Sequence, residues 1–251
     1  MSTYRLLILD LDGTTVKSSQ KAMPSQRVID AVKAAQTHLK VAIATGRPRP
    51  FTQEIIEALD ITGPSVFNGG AEIIDTVSGE KLHEQLISAE SIRETLAITS
   101  TFDIDVYTDE NQYDVAIKSP EQVIKPAAKL FIDSMKTSDA VHLIEELESV
   151  KGISAHMTTS WGKGDIIDIH IVHEHATKRY GVEKLMEILG VSKEEVIAIG
   201  DSYNDLPMLE AAGFKVAMGN APDEVKAVAD YVTLSLDDDG VAVAIEKFIT
   251  N

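Results

Sequence analysis

The stretch LLILDLDGTT, residues 6–15, begins as an apolar run and then places two aspartates, a glycine and two threonines within six positions. Four consecutive apolar residues, 6–9, are typical of a strand that is buried on both faces. Charges at the end of such a strand cost free energy unless they have partners. The stretch therefore predicts a buried strand whose end carries a chemical function.

The composition limits the possible partners of the chain. Its 251 residues include 40 acidic and 23 basic side chains, for a net charge of −17. Binding to nucleic acid or to an anionic membrane is therefore not expected, and an anionic substrate needs a local cation or metal. The absence of cysteine excludes disulfides, thiolate zinc sites and cysteine nucleophiles. Without a signal-peptide or membrane-span pattern, we expect a cytoplasmic monomer or homodimer.

Short apolar strands alternate with helical patterns at both ends of the chain. The strands are predicted near 6–10, 41–45, 65–70 and 196–201, and the first helices near 24–39 and 49–61. This alternation predicts a doubly wound, Rossmann-like α/β core, in which helices cover both faces of a parallel sheet. We assign residues 1–80 and 175–251 to this core.

The middle of the chain, residues 81–174, has a different pattern. Period-two segments at 104–118 and 152–172 predict two hairpins, each preceded by a helical pattern, with a further strand at 129–134. This pattern predicts an α+β domain with an antiparallel sheet, inserted as a cap for substrate specificity. The predicted cap loop contains Trp161 and Lys163, which are candidates for substrate discrimination.

Polar residues follow four of the predicted core strands. They are Asp10 and Asp12, Thr45 and Gly46, Asn68 to Gly70, and Asp201 with Asn204 and Asp205. Ligands of parallel α/β sheets gather at the carboxyl ends of the strands, and Mg²⁺ prefers hard oxygen donors. Each element alone is more often a turn or a helix cap. Their joint placement after separate strands favours a metal and ligand site.

These motifs resemble the haloacid dehalogenase superfamily, and within it the Cof-type phosphatases of subfamily IIB. The match rests on four motifs. In chain order, the first is DLDGT at 10–14, the second ATGR at 44–47, the third Lys178 and the fourth GDSYNDLPML at 200–209. Supporting matches are NGG at 68–70, AMGNAPDEVKAVAD at 217–230 and DGVAVAIEKF at 239–248. The resemblance covers nearly the whole chain in the expected order. It implies an α/β core with a C2B-type cap inserted between the second and third motifs.

The resemblance also implies the chemistry. Asp10 is similar to the family's nucleophile, which attacks phosphorus to form an aspartyl-phosphate. Asp12 resembles the general acid and base that protonates the leaving oxygen and then activates water. Gly13 is expected to turn the chain sharply, so that both acids face the site.

The remaining site residues follow from the same resemblance. Thr45, Gly46 and Lys178 are expected to bind the phosphoryl oxygens, with Lys178 neutralising charge in the transition state. The Mg²⁺ ligands are expected to be Asp10, Asp12 through its carbonyl, and Asp201, with Asp205. Asn204 and Asp205 are further candidates to contact phosphate or to orient metal-bound water.

The third motif departs from the family pattern. The segment HEHATKRYG, 173–181, has Arg179 after the lysine, and Lys184 is the nearest substitute for Lys178. Arg47 and Arg49, beside the second motif, are candidates for contact with substrate or with the cap.

Three functions fit these motifs. The first is a Mg²⁺-dependent phosphatase of small phosphate monoesters, such as sugar phosphates. The second is a phosphotransferase similar to phosphomannomutase, which would have to protect its aspartyl-phosphate from water. The third is a noncatalytic regulator that binds phosphate or metal. The acid pair Asp10 and Asp12 argues against the regulator, because a pure binder has no need of the second acid.

Overall fold

The computed structural model describes residues 4–19, 21–102, 104–110, 113–159 and 165–250. The chain divides into two compact units, one formed by Met1–His83 with Thr177–Asn251 and the other by Glu84–Ala176. The predicted cap-loop residues Trp161 and Lys163 lie outside the described residues. Among the described residues, no helix combines the length and apolar character needed to cross a membrane.

A five-stranded parallel sheet forms the centre of the first unit, in the order β13-β12-β11-β1-β2. Its strands are β1 (Leu6–Leu9), β2 (Lys40–Ile43), β11 (Val196–Gly200), β12 (Phe214–Ala217) and β13 (Tyr231–Val232). The opening stretch of the sequence lies in the middle of this sheet, because β1 pairs with β2 on one side and β11 on the other. The predicted parallel α/β core is confirmed.

Helices cover both faces of this sheet. They are α1 (Gln26–Ala35), α2 (Gln53–Leu59), α5 (Lys178–Leu189), α6 (Leu206–Ala211), α7 (Asp223–Ala227) and α8 (Gly240–Phe248). Leu7 and Leu9 of β1 pack in the cluster that contains α1, α2 and α8. Leu6 and Ile8, which point to the other face, pack with α5, α6 and α7. The continuous apolar run of β1 is therefore explained by burial on both sides.

The predicted third core strand belongs to a different sheet. β3 (Pro64–Phe67) pairs antiparallel with β4 (Glu72–Asp75), and β5 (Lys81–Glu84) completes this three-stranded sheet. β3 is joined to the parallel sheet by a parallel bridge between Ala44 and Val66 and by a hydrogen bond from the Ile43 amide to the Ser65 hydroxyl at 3.2 Å. The chain reverses immediately after β3, so its next strand returns as a hairpin. The antiparallel pairing of the returning chain, as β4, was not predicted from the sequence.

The second unit contains a five-stranded antiparallel sheet with the order β7-β6-β8-β10-β9. Its strands are β6 (Val106–Glu110), β7 (Tyr113–Ile117), β8 (Lys129–Lys136), β9 (Ile153–Thr159) and β10 (Ile166–His173), and its helices are α3 (Ala89–Thr99) and α4 (Thr137–Leu147). Apolar residues of both helices pack against one face of this sheet. The two predicted hairpins are present, and the predicted extra strand is the central strand β8. The predicted α+β fold is confirmed.

Candidate active site

The segments after β1 and β11 bring three carboxylates together. These parallel strands end at the same level, because the amide of Asp10 donates to the carbonyl of Ile199 at 3.0 Å. One carboxylate oxygen from each of Asp10, Asp201 and Asp205 lies within 4.8 Å of the others. Asp10 and Asp205 are buried, and Asp201 is partly exposed. The structure thus assembles three acids from two distant segments of the sequence.

The first-motif turn packs closely against Asp201. Gly13 has a φ of +85°, and a Cβ atom at this position would overlap the Asp201 carboxylate. The next residue, Thr14, donates its hydroxyl to Asp201 Oδ1 at 2.7 Å. The predicted sharp turn at Gly13 is present, and it places the two acidic segments in direct contact.

Lys178 links two of the three acids. Its Nζ donates to Asp10 Oδ1 at 2.5 Å and to Asp205 Oδ1 at 2.6 Å, and its side chain is only 4% exposed. The alternative residue Lys184 instead donates to Glu187 at 2.8 Å on the surface of α5. Arg179 pairs with Glu183 on the same helix. Of these three cations, only Lys178 contacts the acid cluster.

The start of α5 depends on a close backbone approach. Thr177 caps this helix by accepting the amide of Tyr180 at its hydroxyl, so Lys178 is the first helical residue. Gly70 lies against the backbone of Thr177 with a φ of +115°, and a Cβ there would overlap the Thr177 carbonyl. The glycine turn after β3 therefore allows α5 to begin where Lys178 reaches the acids.

Burial and mutual repulsion shift the protonation of the cluster. Burial, reinforced by Asp205, raises the pKa of Asp10 to about 8 despite the opposing charge of Lys178. Burial also raises the pKa of Asp201 to about 6. Burial alone would lower the pKa of Lys178, but the carboxylates of Asp10 and Asp205 outweigh it and raise this pKa above its usual value. The single positive charge of Lys178 therefore does not neutralise the three carboxylates when all of them are ionised.

This excess of negative charge suits a divalent cation. Asp201 is held in place by Thr14 and by the amide of Asn220, whose Nδ2 lies 3.3 Å from Asp201 Oδ2. Asp205 is the least available ligand, because Lys178 occupies one oxygen and the other accepts hydrogen bonds from Asp201 and Ser202. The all-oxygen donor set fits a hard cation, with Asp10 and Asp201 as its side-chain ligands.

Asp12 does not join the cluster through its side chain. Its carboxylate accepts two hydrogen bonds from Arg47, from Nε at 2.8 Å and from Nη2 at 2.5 Å. Within the described residues, the Asp12 carbonyl accepts no backbone hydrogen bond, so this oxygen has room for a cation, and its role as a metal ligand stays a prediction. Arg47 was expected to contact substrate or cap, whereas the structure pairs it with Asp12.

The other predicted binding residues lie in different environments. Thr45 is buried after β2, and its hydroxyl accepts the amide of Arg47 at 3.1 Å. The space beside Gly46 is open. Asn204 is exposed, and its side-chain carbonyl accepts the hydroxyl of Ser202 at 2.5 Å. Arg49 donates to the carbonyl of Thr76 at 3.0 Å.

Two supporting residues were missed in the sequence. Thr14 and Asn220 both hold Asp201, and Asn220 also donates to the Gly13 carbonyl at 2.9 Å. Both lie in stretches that matched the family, Thr14 in DLDGT and Asn220 in AMGNAPDEVKAVAD. The signal was therefore present, but the contact with Asp201 depends on the packing of three separate loops.

A lysine between buried carboxylates at the end of a parallel sheet can hold an anionic group beside a divalent cation. The fold and these acids thus describe an α/β enzyme whose site suits a divalent cation and an anionic substrate. Residues 7–245 match the haloacid dehalogenase-like hydrolases, and the chain belongs to this family.

Individual relatives match over the whole chain. The phosphoglycolate phosphatase 1 of Saccharolobus solfataricus is 27% identical over 98% of this chain and 96% of its own length. The chloroplastic endoribonuclease YBEY of Arabidopsis thaliana is 29% identical over 98% of this chain, which spans only 46% of that protein. A haloacid dehalogenase-like hydrolase from Bacteroides thetaiotaomicron has a TM-score of 0.84 at 29% identity, covering 97% of this chain and 99% of that one.

These matches confirm the resemblance to the haloacid dehalogenase superfamily and its Cof-type phosphatases. They also confirm the prediction of an enzyme of the phosphatase class.

Proposed function

We propose that this enzyme is a Mg²⁺-dependent phosphatase that hydrolyses small phosphate monoesters through an aspartyl-phosphate on Asp10. The observation that carries the proposal is the position of Asp10. It is buried at the end of β1, bonded to Lys178 at 2.5 Å and clustered with Asp201 and Asp205. A nucleophilic carboxylate needs nearby positive charge, both to stay ionised and to attract a phosphate dianion.

Two steps would complete the reaction. In the first, a carboxylate oxygen of Asp10 forms a bond to phosphorus, the bond to the leaving oxygen breaks, and Asp12 gives that oxygen a proton. In the second, water attacks the phosphorus of the aspartyl-phosphate, Asp12 takes the proton from this water, and phosphate leaves. Asp12 thus returns to its starting state, and Asp10 is regenerated.

The surrounding groups would bind the transferred phosphoryl group. Lys178 neutralises its charge, and Thr45 with the open backbone at Gly46 offers hydrogen-bond donors to its oxygens. Mg²⁺ would be held by Asp10, the Asp12 carbonyl and Asp201, and supplies charge stabilisation to the phosphoryl oxygens when bound. Asp205 would act chiefly by holding Lys178 and the loop after β11. The phosphate contact of Asn204 stays a prediction.

The substrate class rests on the relatives and on the second unit. One relative is a phosphoglycolate phosphatase, and two others are 5-amino-6-(5-phospho-D-ribitylamino)uracil phosphatases. All three names describe phosphatases of small phosphate monoesters. We propose that this chain acts on sugar phosphates or related metabolites, with the unit Glu84–Ala176 as the cap that selects the leaving group. A cytoplasmic location and a monomeric or homodimeric state stay predictions from the sequence.

The test is phosphate release from a panel of sugar phosphates, nucleotides and pyridoxal phosphate, with Mg²⁺ and with chelator. We expect metal-dependent release by the wild type and none by Asp10→Asn, whose fold is checked by thermal unfolding. Substantial residual activity in Asp10→Asn would exclude this residue as the nucleophile. A stable aspartyl-phosphate without release would favour the mutase, and Mg²⁺ binding without any phosphoryl transfer would favour the regulator.

A further inference from the structure

Arg47 and Asp12 form a bidentate ion pair. Nε and Nη2 of the guanidinium each donate to a different oxygen of the carboxylate, at 2.8 and 2.5 Å. Such bidentate contacts restrict the carboxylate more than a single hydrogen bond does, because they define its plane as well as its position.

Arg47 is itself held from several sides. Its side chain is 10% exposed, and Nη2 also donates to the carbonyl of Ser19 at 3.0 Å. Its amide donates to the hydroxyl of Thr45, and its carbonyl accepts the amide of Asn68 at 3.1 Å. The guanidinium is therefore fixed before any substrate binds.

The acid cluster explains why Asp12 needs a bidentate partner. Asp12 lies only two residues after Asp10, on the same turn that contacts Asp201. A cation held by Asp10 and Asp201 would also attract the carboxylate of Asp12, and a carboxylate bound to that cation could not serve the leaving oxygen. Arg47 offers a competing positive charge, to which both carboxylate oxygens of Asp12 are hydrogen-bonded.

We propose that Arg47 is the positioning residue for Asp12, which it holds apart from the metal ligands and directs at the leaving-group oxygen. This inference rests on the proposed phosphatase function. When one oxygen of Asp12 carries the proton, the other can still accept from Arg47, so the carboxyl group keeps its position beside the guanidinium. Arg47 acts through Asp12 and does not need to touch the transferred phosphoryl group.

The leaving group distinguishes this role from phosphate binding. An alkyl phosphate expels an alkoxide and needs a proton from Asp12, whereas 4-nitrophenyl phosphate expels a stable phenolate and needs little help. In Arg47→Ala, we expect kcat/KM, which reports the transfer of the phosphoryl group to Asp10, to fall about 100-fold or more on the alkyl phosphate that the wild type hydrolyses fastest. On 4-nitrophenyl phosphate, the loss in kcat/KM should stay within about 10-fold. The value of kcat should fall on both substrates, because Asp12 also activates the water that hydrolyses the aspartyl-phosphate, a step that both substrates share.

Four further variants complete the experiment. Asp12→Asn should show the same selectivity for the leaving group, and adding Arg47→Ala to it should cause little further loss, because both changes remove the same function. Arg47→Lys keeps the positive charge but cannot donate two parallel hydrogen bonds to the carboxylate, so it should show the same selectivity for the leaving group. It replaces Arg47→Ala if the alanine variant fails to fold. The control is Arg27→Ala, which removes another bidentate pair, with Glu246 on the surface, and should match the wild type.

The results of these experiments distinguish a positioning role of Arg47 from a phosphate contact and from failure of the proposed function. Equal losses in kcat/KM on the two substrates, or a raised KM with kcat unchanged, would overturn the positioning role in favour of a phosphate or substrate contact. No release of phosphate by the wild type from any ester would instead overturn the proposed function. Restoration of alkyl phosphate hydrolysis in Arg47→Ala by added guanidinium would support the positioning role.

Discussion

At the scale of single residues, Lys178 is the cation on which the acid cluster depends. Its ammonium group bonds to both Asp10 and Asp205 in a site that is almost fully buried. Charge interactions of this kind are strong because little water screens them, and removing one partner leaves the others uncompensated. The residue therefore has both a structural and a proposed catalytic role.

We expect Lys178→Met to lower kcat/KM by a factor of about 10² to 10³, because charge developing on the phosphoryl group loses its neutralising partner. Methionine keeps most of the volume of the lysine stem. The matched control is Lys184→Met, on the same helix, which should remain near the wild-type value because Lys184 pairs with Glu187 at the surface. Steady-state kinetics on one substrate measure both variants. Loss of activity in Lys184→Met, with Lys178→Met unaffected, would reverse the assignment of the third motif.

At the scale of elements, the start of α5 is set by the glycine turn after β3. The structure offers a matched pair in this turn, because Gly69 and Gly70 both have positive φ angles of 69° and 115°. A Cβ at Gly69 would meet open space, whereas a Cβ at Gly70 would overlap the backbone of Thr177. The two positions thus separate backbone strain from displacement of the helix.

We expect Gly69→Ala to cost about 1 to 2 kcal/mol of unfolding free energy, from the strained φ alone. Gly70→Ala should cost about 2 to 6 kcal/mol, because strain and a clash with Thr177 add together. It should also lower kcat more than Gly69→Ala does, since a shift of α5 moves Lys178 away from Asp10. Chemical denaturation and kinetics measure the two effects. Similar values for the two variants would show that the contact with Thr177 does not position the helix.

The prediction of elements from the sequence worked where the pattern is local. The strand at 196–201 and the helix at 24–39 were predicted from apolar spacing, because burial on one or two faces imposes that spacing. The partner of β3 was not predicted, because its four residues pair with β4 only after the chain reverses at Asn68. The direction in which a strand pairs depends on that turn and on neighbours distant in the sequence.

At the scale of the whole molecule, the excess negative charge at the site should make stability depend on pH and on Mg²⁺. The pKa of Asp10 is about 8 in the folded protein and ordinarily 3.8, so between these values the folded state holds a proton that the unfolded state has lost. The unfolding free energy of the Mg²⁺-free protein should therefore fall as pH rises from about 4 to 8, by up to about 1.4 kcal/mol per pH unit.

Thermal unfolding in chelator across this pH range, and again with Mg²⁺, measures the effect. Mg²⁺ should raise Tm most at the upper end, because it binds the ionised acids of the folded state. Asp10→Asn should show a weaker dependence on pH. Burial lowers the pKa of His170 to about 3, which opposes the trend below pH 6.5, but this contribution is common to both proteins. A slope that is the same in wild type and Asp10→Asn would contradict the prediction.

The motifs and the alternation of strands and helices were enough to predict the two-part α/β architecture, the family and the meeting of Asp10 with Asp201. That was possible because apolar spacing reports burial, and parallel strands bring their carboxyl ends to one edge. The pairing of Asp12 with Arg47, the contact of Gly70 with Thr177 and the choice of Lys178 over Lys184 needed the folded coordinates. Each joins side chains or backbone from separate segments, and contacts across such distances depend on how loops and helices pack rather than on any local pattern.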